Sequence, residues 1–66
     1  MTSIGNYLWS RLNATYVREG NFVKMDNTTI IHFTVNDTKY EVWLPKFQNN
    51  SYYDDYFSRN YPELLL

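Results

Sequence analysis

No cysteine occurs in this sequence, so no disulfide can staple the chain. Thiolate ligands for zinc are excluded with it, and the single histidine, His32, leaves no familiar zinc set. No metal and no cofactor are therefore expected. Only two glycines are present and none forms a phosphate-cradling loop. Positive charge is scarce as well: six Lys and Arg stand against seven Asp and Glu, a formal net charge of −1. Proteins that grip nucleic acid draw most of their affinity from Lys and Arg on phosphates, so this balance argues against a polyanion as first partner. No run approaches the roughly 20 apolar residues of a membrane span, and no membrane partner is expected. The first residues lack the basic and apolar regions of a signal peptide, which makes a cytoplasmic protein the expectation. Four Asn-x-Ser/Thr triplets, at Asn13, Asn27, Asn36 and Asn49, are accordingly read as chance.

Sixty-six residues give one small domain, residues 1–66. A chain of this length buries only about 60% of its unfolded surface. With no disulfide or metal, its stability must come from dense packing or from a partner. An aromatic content of 20% serves either end, because each ring buries a large area. Eight Asn and seven Tyr beside three Lys suggest an AT-rich coding genome, such as that of a phage.

The strongest structural signal is Thr28 to Leu44. Thr28–Val35 and Thr38–Leu44 are rich in β-branched and aromatic residues, with Asn36-Asp37 between them. Asn and Asp tolerate the positive φ that a two-residue hairpin turn needs. The register then sets Val35 against Thr38, Phe33 against Tyr40, Ile31 against Val42 and Thr29 against Leu44. One face collects Ile31, Phe33, Val35, Tyr40, Val42 and Leu44, the expected core. The other collects Ile30, His32, Thr34, Lys39, Glu41 and Trp43. Ile30 and Trp43 are large for a face turned to water, so a terminal segment or a partner should cover them.

Around the hairpin, Ile4, Tyr7, Leu8 and Leu12 follow helical spacing behind a Thr2 or Ser3 cap. Trp9 falls at the edge of that stripe. Tyr16–Glu19 reads as extended, Gly20-Asn21 as a bend, and Phe22–Met25 as a short strand with Val23 opposite Ile31 and Met25 opposite Thr29. Pro45 ends the third strand and Lys46–Asn50 reads as a loop. Ser51 starts a second helix, with Ser51 and Asp54 as a capping box. Tyr61-Pro62 breaks it, leaving Leu64, Leu65 and Leu66 to tuck onto the core or dock elsewhere. The expected fold is α+β: a three-stranded antiparallel meander, order 1-2-3, between a short N-terminal and a short C-terminal helix.

His32 opposite Glu41 is the only acid/base pair in this reading, and such a cross-strand pair reads as a surface ion pair, so no catalytic residue is expected. Asp54 and Asp55 diverge by about 100° on a helix and do not converge on one ion. The residue types of interface hot spots are supplied by seven Tyr, two Trp and three Arg, against three Lys. The expectation is a small non-catalytic protein that binds another protein and modulates or inhibits it, as a phage-encoded modulator of a host enzyme would. Its candidate contacts are Phe22, Ile30 and Trp43 on the second sheet face, and Tyr53, Asp54, Asp55 and Tyr56 on the second helix. A homodimer is an alternative use of the apolar surface. Single-stranded nucleic acid on the aromatic sheet face, with Phe22, His32, Trp43, Lys24 and Lys39, is the runner-up.

Overall fold

The computed structural model describes residues 1–23 and 27–66, and of residues 21–23 the backbone alone. Strand β1 (Thr2–Ser3) leads into helix α1 (Ile4–Arg11), followed by β2 (Tyr16–Val23), β3 (Thr28–Val35), β4 (Thr38–Pro45), β5 (Phe47–Gln48), helix α2 (Asn50–Asn60) and a 3₁₀ turn, Pro62–Leu65. The fold is the expected α+β arrangement. Strands β2, β3 and β4 form an antiparallel sheet in that order.

The hairpin has the register its residues predict: Val35 pairs with Thr38, Phe33 with Tyr40, Ile31 with Val42 and Thr29 with Leu44. Its turn works as the chemistry of Asn and Asp requires, with φ of 52° at Asn36 and 63° at Asp37. The expected core face is the core. Ile31, Phe33, Val35, Val42 and Leu44 are buried, and Tyr40 packs against them.

Both helices lie on that face. Ser3 caps α1, its Oγ accepting from the Asn6 N–H at 3.1 Å. At the other end Asn13 turns left-handed, φ 57°, and the Ala14 N–H reaches back to the Leu8 carbonyl at 3.0 Å. Helix α1 buries Ile4, Tyr7 and Leu8, and α2 buries Tyr53 and Phe57. The two meet through rings: Tyr7 lies 5.1 Å from Tyr53 and stacks on Phe57 at 5.8 Å. Phe57 also sets its edge against Phe33 of the sheet at 6.1 Å. Leu64 and Leu65 pack against this core, and Leu66 is exposed.

Three local expectations are corrected. Tyr16 to Val23 is one strand rather than an extended piece, a bend and a second strand. Glu19 pairs with Ile31 and Val23 with Thr29, so four steps along β2 oppose two along β3, an irregularity that absorbs Gly20-Asn21. Val23 therefore does not oppose Ile31. The Met25–Thr29 pairing lies outside the described residues. Gly20 is needed at this irregularity because a Cβ there would stand 2.4 Å from Ile30 Cγ2.

The stretch after Pro45 is not all loop. Phe47–Gln48 pairs with Thr2–Ser3, and the Ile4 N–H donates to the Lys46 carbonyl at 2.8 Å. This small second sheet ties the N-terminus to the segment between β4 and α2. The Ser51–Asp54 capping box does not form either. Helix α2 starts at Asn50 behind Asn49, with no side-chain cap. Asp54 instead accepts from the Tyr7 hydroxyl at 2.6 Å, with Arg11 Nε 3.5 Å away, so its charge joins the helices rather than capping one.

The glycines yield opposite predictions. At Gly5 a Cβ would meet only Glu19 Oε2, at an ordinary 3.7 Å, so Gly5→Ala should stabilise by up to about 1 kcal/mol through helix propensity. Gly20→Ala should destabilise by about 1–3 kcal/mol, because Ile30 must move. Urea unfolding of the two variants measures both signs; a Gly20→Ala variant as stable as the native chain would contradict the packing at the irregularity.

Alkaline pH probes the ring cluster. Burial, with the bond to Asp54 and its charge, pushes the Tyr7 hydroxyl pKa up, and the Arg11 charge opposes this only in part. Burial above all, then the neighbouring Tyr52 and Glu19, pushes Tyr53 up to about 12. Burial raises Tyr56 too. An unfolded tyrosine ionises near pH 10. A pKa raised by folding means stability that is whole below about pH 10 and is lost as pH rises towards and through about 12. Circular dichroism should hold to about pH 10 and then fall together with the late rise of tyrosinate absorbance. Ionisation of all the tyrosines in one step near pH 10, with the helices intact, would contradict the burial of these hydroxyls.

Candidate functional site

Both helices pack on one face of the three-stranded sheet and neither on the other, where Thr28, at the start of β3, is nevertheless buried. The residues of that second face follow from strand alternation and pairing. Tyr16, Thr34 and Lys39 form one row across the sheet, and Arg18, His32 and Glu41 the next. Ile30 and Trp43 form the third, beside Gly20 of β2. The rows grade from polar to apolar along the strands.

A shallow depression of about 400 Å³ opens at the polar end, lined by Tyr16, Arg18, His32, Phe33, Thr34, Lys39 and Tyr40. Tyr16 is 50% exposed there. His32 Nδ1 lies 3.7 Å from Glu41 Oε2, and both side chains are about half open to solvent. A pair in that setting gains little from its charges, which water and salt screen. Arg18 and Lys39 make no ion pair among the described residues, whereas Arg11 is engaged by Asp54 and Arg59 by Asp55 at 3.1 Å. Asp54 and Asp55 on α2 thus have cations beside them, whereas Arg18 and Lys39 on the open sheet face have no ion-pair partner among the described residues.

The sequence-predicted contacts do not form one surface. Ile30 and Trp43 are neighbours on the open face and half-buried. The side chain of Phe22, and Lys24 altogether, lie outside the described residues. Tyr53, Asp54, Asp55 and Tyr56 belong to α2, on the opposite side of the sheet. Tyr53 is a correction: it is 0% exposed, and its hydroxyl donates to the Pro45 carbonyl at 2.7 Å. It is a core residue that pins α2 to the end of β4, with nothing left to show a partner. Asp54 is occupied by Tyr7 and Arg11, and Asp55 by Arg59. Tyr56 is half-buried between Phe57 and Tyr61. Trp9, at 51% exposed, stands on α1 away from the open face.

Two residues of the open face went unassigned by sequence reasoning, Tyr16 and Arg18. The alternation of Tyr16 and Arg18 with Val17 and Glu19 carries the signal, and reading Gly20-Asn21 as a bend broke it. Among the described residues there is no group of three or more His, Cys, Asp or Glu able to hold a metal ion, and no helix long and apolar enough to cross a membrane.

No protein-family model matches the chain, and comparison with curated proteins and with solved structures found no significant match.

If the His32–Glu41 pair is a screened surface pair, Glu41→Gln should change unfolding stability by less than about 0.5 kcal/mol. A loss above about 2 kcal/mol in chemical denaturation would mean that the pair holds the sheet together.

Proposed function

We propose that this is a non-catalytic protein-binding domain that acts by occupying a surface of its partner, modulating or inhibiting it, through the open face of the β2-β3-β4 sheet. One observation carries the reading: α1 and α2 pack on the same side of the sheet, and Ile30 and Trp43 stand half-buried on the side away from both helices. An aromatic and an aliphatic side chain together, rimmed by polar groups, have the composition of an interface centre. The polar rows beside them supply the rim. The Tyr56 and Asp55 surface of α2, its acid already held by Arg59, becomes the lesser candidate.

A second reading has an observation in its favour. Tyr16 and Arg18 add a ring and a cation to the face already proposed for single-stranded nucleic acid. Against it, Glu41 sits in the middle row, and two unengaged cations are few for a phosphate chain. The partner is taken to be a protein.

Trp43 at the centre of an interface should be worth about 2 kcal/mol or more, roughly a 30-fold loss of affinity on truncation. The native chain and Trp43→Ala, immobilised side by side, should differ in retaining one and the same protein, with identical circular dichroism. Equal retention by two folded baits would overturn the use of this face. Unfolding of Trp43→Ala would place Trp43 in the core and overturn it as well.

A further inference from the structure

We infer that the depression at the polar end of the open face is a carboxylate-accepting site, and that the segment docked on this face is an acidic, extended stretch of the partner protein with an apolar side chain at its far end. The inference rests on the protein-binding reading above and names the partner's chemistry.

Arg18 stands on one edge strand and Lys39 on the other, one row apart. Strand geometry separates their Cα atoms by about 12 Å, with Thr34 and His32 on the central strand between them. Both long cationic side chains line the same depression, together with the Thr34 hydroxyl and the His32 imidazole. A carboxylate over Thr34 lies within reach of both. Charge-assisted bonds of this kind are stronger than neutral ones, and the Arg fork can take a carboxylate through two parallel N–H donors. Neither cation is engaged by a neighbour among the described residues, so a ligand need not displace one.

The apolar end fixes direction and length. Lys39 and Trp43 are four residues apart on β4, about 13 Å, and point to the same face. An extended partner segment places same-side residues at the same spacing. Acids at one end of a seven-residue segment meet Arg18 and Lys39 while an apolar side chain at the other reaches Ile30 and Trp43. The number of cations selects a few carboxylates over a phosphate chain. Glu41, between the two ends, repels either kind of anion and limits affinity.

The test titrates the full chain with three probes, following backbone amide shifts. The first is a capped heptapeptide with glutamates at one end and leucines at the other. The second is the same peptide with glutamine for glutamate. The third is a single-stranded oligothymidylate. The glutamate peptide should shift Tyr16, Arg18, His32, Thr34 and Lys39 and bind about tenfold or more tightly than the glutamine peptide. Arg18→Ala and Lys39→Ala should each weaken it about 3- to 10-fold, and Glu41→Gln should tighten it, a gain that a merely structural role would not produce. Equal binding of the glutamine peptide on the same face overturns the carboxylate site and leaves the protein-binding reading standing. Absence of shifts with either peptide overturns the carboxylate site alone, since Trp43-dependent capture decides the broader reading separately. Tighter binding of the oligothymidylate, falling steeply with salt, overturns both.

Discussion

The fold depends on one cluster of rings. Tyr53 of α2 meets Tyr7 of α1, Tyr7 meets Phe57 of α2, and Phe57 meets Phe33 of the sheet, in tilted, stacked and edge-on pairs at 5.1, 5.8 and 6.1 Å. In a chain without disulfides this contact joins three separate elements into one core. Large-to-small changes at such rings cost about 3–5 kcal/mol. A domain of this size holds only a few kcal/mol of net stability, so the cluster amounts to most of the margin. The hydroxyls do not spoil the burial, because each has a partner: Asp54 for Tyr7 and the Pro45 carbonyl for Tyr53.

The open face is the consequence of that cluster. Two short helices can cover one side of a three-stranded sheet, and the rings place both on the side of Phe33. The Tyr7–Asp54–Arg11 group reinforces the choice by joining α1 to α2 directly. The small sheet of β1 and β5 does the same at the other end of α1. The face away from the helices presents rows graded from charged to apolar. The proposed function and the proposed ligand chemistry both derive from this division of labour between the two faces.

Much of this was legible in the residues. The hairpin register follows from strict alternation on both sides of Asn36-Asp37, and alternation also separates the core face from the open one. The first helix was readable from Ile4, Leu8 and Leu12 and the cap at Ser3. Three things were not. Gly20 looks like a bend, because sequence alone does not show that Ile30 approaches it too closely for a Cβ. Asp54 looks like a cap, because its partner Tyr7 is 47 positions away and long-range pairs leave no local pattern. Tyr53 looks like an interface residue for the same reason: tyrosine suits both a core and a surface, and only the Pro45 carbonyl decides which. The candidate face was half legible, with Ile30 and Trp43 visible and Tyr16 and Arg18 hidden behind the misread glycine.

The most direct test of the account is to find which face of the sheet the helices cover. Proton–proton Overhauser contacts from the Phe57 and Tyr53 rings supply the answer in solution. The account predicts contacts from those rings to Phe33, Ile31 and Tyr7, with none to Ile30, His32 or Trp43. Contacts from Phe57 or Tyr53 to Trp43 and Ile30 would place a helix on the face described as open, and would contradict both the fold assignment and the function drawn from it.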